Sequence, residues 1–266
     1  MVLYLKDLNP TLQNPKVAVK ILREWPPHFI QGQPFYQSLI LVDERGNRID
    51  AKIDAGLYVD CYYGNLNEGD WYEISGFLVI EGQQSFRNSN HPFEILIQKK
   101  TKMVPINPRS TDNFILMYDA LKMHNSTPDE KNCCVDVLGM VVHVNEPQII
   151  DFLDHQNGYI SENEVVTFTI LEHNGQEIEC VAVGSVCTAF FEKRKKIISS
   201  PTYTNQPIVC TLLFWRISVY EGMQCLMSQL RCSKIILEDE VAGINTGDML
   251  SWLDVDSSDE DNEDED

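Results

Sequence analysis

The sequence predicts an all-β protein in which two similar small barrels follow one another and an acidic tail ends the chain. Three observations carry this reading. Segments with strand periodicity, separated by turn residues, fill most of residues 16–237. A ten-residue pattern recurs at a fixed offset. The net charge of −19 is also unevenly placed. Residues 238–266 hold 13 acidic residues and no Lys or Arg, while the 21 basic and 27 acidic residues before them leave only −6. A charge block of that kind reads as a solvated, disordered arm.

The elements follow in order. Residues 16–25 (KVAVKILREW) and 35–43 (FYQSLILVD) alternate as half-buried strands do. Glu44-Arg45-Gly46-Asn47 supplies turn chemistry, and residues 48–54 resume the extended pattern. Residues 57–66 suit a short helix. Residues 71–81 and 92–102 form two more strands, joined by a polar stretch at 82–91. The plan then repeats. Residues 135–144 read as a strand. Residues 165–171 and 177–183 form a hairpin across His173-Asn174-Gly175, and 186–196 is a helix. Residues 207–220 and 223–237 pair across Glu221-Gly222. An insertion at 151–164 separates the first two strands of this half.

The repeat can be laid out directly. Val42-Asp43-Glu44-Arg45-Gly46-Asn47-Arg48-Ile49 lies over Leu171-Glu172-His173-Asn174-Gly175-Gln176-Glu177-Ile178, with Gly175 − Gly46 = 129. Five strands with a helix between the third and fourth is the plan of the OB-fold. Residues 1–104 are therefore expected to form a first OB-fold and 132–237 a second. Residues 105–131 link them, with helical spacing at Phe114, Met117, Tyr118 and Leu121, and 238–266 form the acidic tail.

Several function classes are excluded or disfavoured. No apolar run approaches the ~20 residues that span a bilayer. The first twelve residues lack the basic and apolar regions of a signal peptide. Eight cysteines without a CxxC pair read as thiols in a reducing compartment, so no structural zinc, other metal or cofactor is expected. There is no P-loop, nucleophile elbow or paired-His motif, and the six histidines are scattered; no enzyme activity is expected.

The segments KVAVKILREW, LILVDERGNRIDAKI and WYEISGFLVIEGQQSFRNSNHPFEILIQKKT in the first half, with VDVLGMVVHV, HNGQEIECVAVG and PIVCTLLFWRISVYEGMQC in the second, resemble the large subunit of replication protein A. The likeness is to the reduced, plant-type relatives with two OB-folds, and it covers residues 1–237. It implies a nuclear single-stranded DNA binding protein of replication, recombination or repair, with related subunits or repair proteins as further partners. Family members stack bases on aromatics and meet phosphates with basic side chains.

Carried over by motif, one stacking aromatic falls at Phe86 in the first barrel and one at Tyr220 in the second; a core aromatic is the alternative for each. Basic candidates are Arg45, Arg48, Lys52, Arg87 and Arg216. The second stacking position departs from the family, being Asp54 in the first barrel and Val183 in the second. Period-two alternation places Asp50, Lys52 and Asp54 on one groove and Glu179, Val181 and Val183 on the other. A partly acidic groove keeps a rival reading open, a protein–protein adaptor whose DNA binding has decayed. Lys193-Arg194-Lys195-Lys196 ends a helix and suits either the helix dipole, a phosphate or a weak nuclear signal. The tail, with Trp252 among its acids, is expected to compete for Arg45, Lys52, Arg87 and Arg216.

Overall fold

The computed structural model describes residues 2–25, 36–62, 64–82, 87–118, 133–154, 159–205 and 207–237. The chain divides into two compact units, the first built mainly on residues up to Ile115 and the second mainly on Val135–Asp151 and Glu162 onward.

In the first unit β1 (Lys16–Trp25) pairs antiparallel with β2 (Tyr36–Val42), and β2 with β3 (Arg48–Asp54). A short helix α1 (Ala55–Cys61) follows, then β4 (Trp71–Ser75), β5 (Leu78–Glu81), β6 (Phe93–Ile97) and β7 (Lys102–Ile106). The sheet order is β5-β6-β3-β2-β1-β4-β7. β4 and β5 are two parts of one bent strand, so the path returns on itself and the sheet closes into a barrel. The β3–β6 pairing is parallel, as an OB-fold requires of its third and fifth strands. Leu5, Val19, Ile21, Leu39, Leu41, Ile49, Ile53, Ile74 and Ile95 fill the interior.

The second unit repeats the plan. β8 (Val135–Val144), β9 (Gln148–Asp154), β10 (Tyr159–Leu171), β11 (Glu177–Val183), α2 (Ser185–Ile198), β12 (Ile208–Tyr220), β13 (Met223–Met227) and β14 (Lys234–Leu237) follow in order. β8 pairs β10 and β12, β10 pairs β11, and β11 pairs β13 in parallel, which closes this barrel too. Phe168 stacks on Phe190 of α2 at 4.7 Å and meets Trp215 edge-on at 5.9 Å. The insertion expected at 151–164 is strand, since β9 and β10 take up most of it. In the linker, residues 111–118 are not helical; Met117 bridges Asp136 in parallel. The rest of the expected helix lies outside the described residues.

The first strand of each barrel serves two partners. β1 gives Lys16–Lys20 to β4 and Lys20–Trp25 to β2. β8 gives Val135–Val141 to β12 and Met140–Val144 to β10. Gly139 sits near that changeover. A Cβ there would meet the Leu171 carbonyl oxygen at 3.0 Å, so only glycine allows the approach without a shift.

The 129-residue repeat extends to hydrogen bonds. Asp43 N–H donates to Asn47 O at 3.1 Å and Gly46 N–H to Asp43 O at 3.0 Å; Glu172 N–H donates to Gln176 O at 2.9 Å and Gly175 N–H to Glu172 O at 3.0 Å. Both glycines have positive φ, +82° and +77°. A second correspondence was not visible in the sequence. The fourth strand of each barrel bends at a left-handed residue followed by a buried aromatic, Gly76-Phe77 in the first and Phe214-Trp215 in the second. In both, a hydroxyl near the last strand donates to the carbonyl at the bend: Thr101 Oγ1 to Gly76 O at 3.3 Å, and Ser233 Oγ to Phe214 O at 2.6 Å. A left-handed phenylalanine costs on the order of 1–3 kcal/mol. The Asp136 carboxylate, accepting from Phe214 N–H at 3.0 Å, helps to hold it there.

All eight cysteines are free thiols, and only Cys61 is exposed. Burial pushes the thiols of Cys210 and Cys225 up to about 12 and that of Cys187 up to about 11. Nucleophilic thiolate is therefore scarce inside the second barrel. A disulfide-exchange reagent at mildly alkaline pH should modify Cys61 first and half-buried Cys134 more slowly. The six buried thiols should react only after urea unfolding, and mass mapping of the labelled sites checks this.

Candidate nucleic-acid interface

The outer face of β3 was expected to be an acidic groove floor, and its carboxylates are instead committed to structure. Asp50 is buried and accepts four hydrogen bonds: from Asn88 N–H and Nδ2 at 3.0 Å each, Ser89 N–H at 3.1 Å and Ser89 Oγ at 3.0 Å. Asp50 thus pins the returning end of the loop between β5 and β6, just after Arg87. Burial raises its pKa, with Glu94 adding to the rise and the bonds from Asn88 and Ser89 opposing it. Asp54 caps α1, its Oδ1 accepting from Leu57 N–H at 3.1 Å. That cap explains why the helix begins at Ala55, earlier than the sequence pattern suggested.

The sequence-predicted cations are distributed unevenly. Lys52 Nζ lies 2.7 Å from Glu94 Oε2 across the β3–β6 pairing, so its charge is largely answered within the barrel. Arg45 is exposed on the β2–β3 hairpin, with its guanidinium 3.6 Å from the centre of the Tyr4 ring. Arg48 donates from Nη2 to Phe114 O at 2.6 Å. Arg87 is half-buried. Phe86 lies outside the described residues.

In the second barrel, β12 and β13 meet across Glu221-Gly222. Both turn residues have positive φ, +50° and +84°, the geometry of a tight two-residue hairpin that follows the strand twist. Tyr220 pairs across with Met223, and Val219 with Gln224. Tyr220 is half-buried, and burial, followed by Glu221 and Cys225, raises its hydroxyl pKa. Beside it Val219 is 64% exposed and Met223 58%. The tip thus carries Tyr220 and Met223 on one face and Val219 on the other. The sequence reading singled out Tyr220 and missed its two neighbours, which the turn position alone would have exposed.

Three residues given to this groove are placed otherwise. Arg216 is only 4% exposed, because β12 is buried through Ile217 and emerges only at its tip. The signal was in the sequence: IVCTLLFW is apolar except for Thr211, a near-continuous run that marks a strand covered on both faces. Val183 is fully buried at the end of β11, where its N–H donates to Ser228 Oγ at 2.8 Å, and Val181 is buried as well. Glu179 remains exposed and accepts from Thr169 Oγ1 at 2.9 Å.

Comparison with known proteins bears on the fold. A family model described as "Domain of unknown function DUF223" matches residues 6–121. A search of curated proteins finds no match. Among solved structures, a chain of a replication protein A heterotrimer bound to single-stranded DNA superposes with a TM-score of 0.60 at 16% identity, over 96% of this chain and 55% of that one. This chain therefore spans about half the length of that neighbour. DNA-binding domain A of Saccharomyces cerevisiae replication protein A gives 0.34 at 17% identity, over 41% of this chain and 97% of the domain. A murine DNA-binding protein bound to double-stranded DNA gives 0.38 at 15% identity, over 83% and 95%. The heterotrimer chain and the strand topology establish two OB-folds.

The Asp50 cluster makes a prediction about pH. A folded-state pKa raised above its ordinary 3.8 means that the folded protein holds this proton more tightly than the unfolded chain. The stability Asp50 contributes is full below that value and falls as pH rises through the folded pKa. Asp50→Asn does not titrate. The unfolding free energy of the parent minus that of the variant should therefore decrease from about pH 4 toward neutrality, read from urea midpoints.

Proposed function

We propose that this protein binds single-stranded DNA along its OB-folds in the manner of the replication protein A large subunit, in the nucleus, during replication, recombination or repair. The observation that carries this reading is the tip of the β12–β13 hairpin. There half-buried Tyr220 stands opposite exposed Met223 on one face of the hairpin, a stacking platform on an otherwise well-covered strand. Bases have apolar faces, and each one stacked on an aromatic is worth about 1–3 kcal/mol. Phe86 is the corresponding candidate in the first barrel, with Arg87 beside it and exposed Arg45 and half-buried Lys52 elsewhere on that barrel. Replication protein A-type subunits or repair proteins are the partners this reading favours.

One observation favours the second reading, a protein–protein adaptor. Lys52 is tied to Glu94 and Arg216 is buried, so fewer cations meet solvent than a phosphate-tracking groove would use.

Fluorescence anisotropy with a labelled oligo-dT strand, at two salt concentrations, tests the proposal. Binding should weaken steeply with salt as phosphate contacts release counterions. Tyr220→Ala should raise Kd by about five- to 150-fold, equivalent to 1–3 kcal/mol, while Tyr220→Phe keeps parental affinity. Phe86→Ala should act in the same direction. Absence of binding at low salt would overturn the proposal in favour of the adaptor.

A further inference from the structure

β14 runs antiparallel to β12 and ends with Leu237 opposite Cys210. The chain thus leaves the second barrel heading toward Ile208, two residues along β12, or about 7 Å at the rise of a strand. Ile208 is one wall of a cleft of about 270 Å³ whose other sides include Val141, Val142, Arg194, Tyr203 and Pro207. The cleft is mixed in character: its valines, Pro207, Ile208 and the Tyr203 ring supply apolar contacts, with Val142 exposed, while Arg194 and Asn205 help to make more of its open surface polar than apolar. Arg194 belongs to the Lys193-Arg194-Lys195-Lys196 run in the last turns of α2, where the helix also presents its carbonyl end.

The segment that departs beside this cleft is the acidic tail, residues 238–266, with 13 acids, no base and the sequence Asp248-Met249-Leu250-Ser251-Trp252-Leu253-Asp254. Trp252 stands 15 residues past Leu237, and a chain of that length spans up to about 50 Å, ample to return to the cleft. Tethering holds it near its target at a local concentration on the order of millimolar. Charge attraction fades within about 8 Å at physiological salt, so the contact needs apolar burial as well.

We infer that the tail folds back on the second barrel, with the Trp252 indole seated in the cleft formed by β8, Arg194 of α2 and Tyr203, Pro207 and Ile208, and the flanking carboxylates over the basic end of α2. This assigns the tail a site different from the one its charge first suggested, the cations Arg45, Lys52, Arg87 and Arg216. Lys52 is paired and Arg216 buried, which leaves those two cations little charge to offer an acidic segment. The site needs no DNA and stands apart from the Tyr220 hairpin tip.

The sequence contains its own reporter. Trp25, Trp71 and Trp215 are all buried, so Trp252 is the one tryptophan whose exposure docking would change. Acrylamide quenching of the full chain, with Trp252→Phe subtracted as the three-tryptophan reference, isolates its signal. Trp252 should be protected at low salt. Arg194→Glu and, separately, Val142→Glu should each raise its quenching constant several-fold, with the reference tryptophans unchanged as the check that the barrels remain folded. Full quenching of Trp252 in the parent protein would overturn the inference. So would protection that neither substitution relieves, which places the indole elsewhere, or protection that grows with protein concentration, which makes the occupant a second copy.

Discussion

Everything in both units depends on one strand having to serve two neighbours. β1 and β8 each spend their first half on the fourth strand of their barrel, β4 or β12, and their second half on another neighbour, β2 for β1 and β10 for β8. A strand can turn from one partner to the other only where the backbone coils tightly, and near the changeover in β8 that space exists because Gly139 has no side chain. From that sharing follows closure, and from closure follow the interior and the absence of a long open edge around the barrel. It also accounts for the bend in each fourth strand at Gly76 and Phe214, both held by a hydroxyl from the segment leading into the last strand.

The strands were readable because their cause is local. Apolar residues at every second position mark β1, β8 and β11, and their bounds coincide with the sequence pattern. The repeated hairpins at Asp43–Asn47 and Glu172–Gln176 were readable for the same reason, since a turn residue flanked by strands dictates its own hydrogen bonds. What escaped the reading is set by distant partners. The break between β4 and β5 depends on Pro15 and Thr101, which bond to Gly76 from outside its strand. Helical spacing at 111–118 yields to the Asp136 side chain, which accepts from Leu116 N–H at 3.1 Å, and to its carbonyl, which accepts from Tyr118 N–H at 2.8 Å.

The functional surface was less legible than the fold, and charge is the reason. A carboxylate on a strand looks the same in sequence whether it faces solvent or receives four hydrogen bonds, as Asp50 does. A lysine looks free until its neighbour across a parallel pairing is known to be Glu94. Tyr220 could be singled out because the family resemblance places an aromatic there, next to the Glu221-Gly222 turn. Exposed Met223, directly across the hairpin, extends that single aromatic into a surface.

The parallel pairings that seal the barrels bear on how such a chain reaches its native state. β3 meets β6 at Asp50 and Glu94, 94 − 50 = 44 residues apart, and β11 meets β13 at Cys180 and Leu226, 226 − 180 = 46 apart. Neither contact can form through a hairpin; each must wait for an intervening loop to be drawn together, at an entropic cost that nearby contacts do not bear. The hairpins β2–β3 and β12–β13 can assemble early, within microseconds by analogy with isolated hairpins. The seam joining third to fifth strand therefore closes late in each unit, and until it does the edges of β3 and β11 remain open to pairing with the wrong strand.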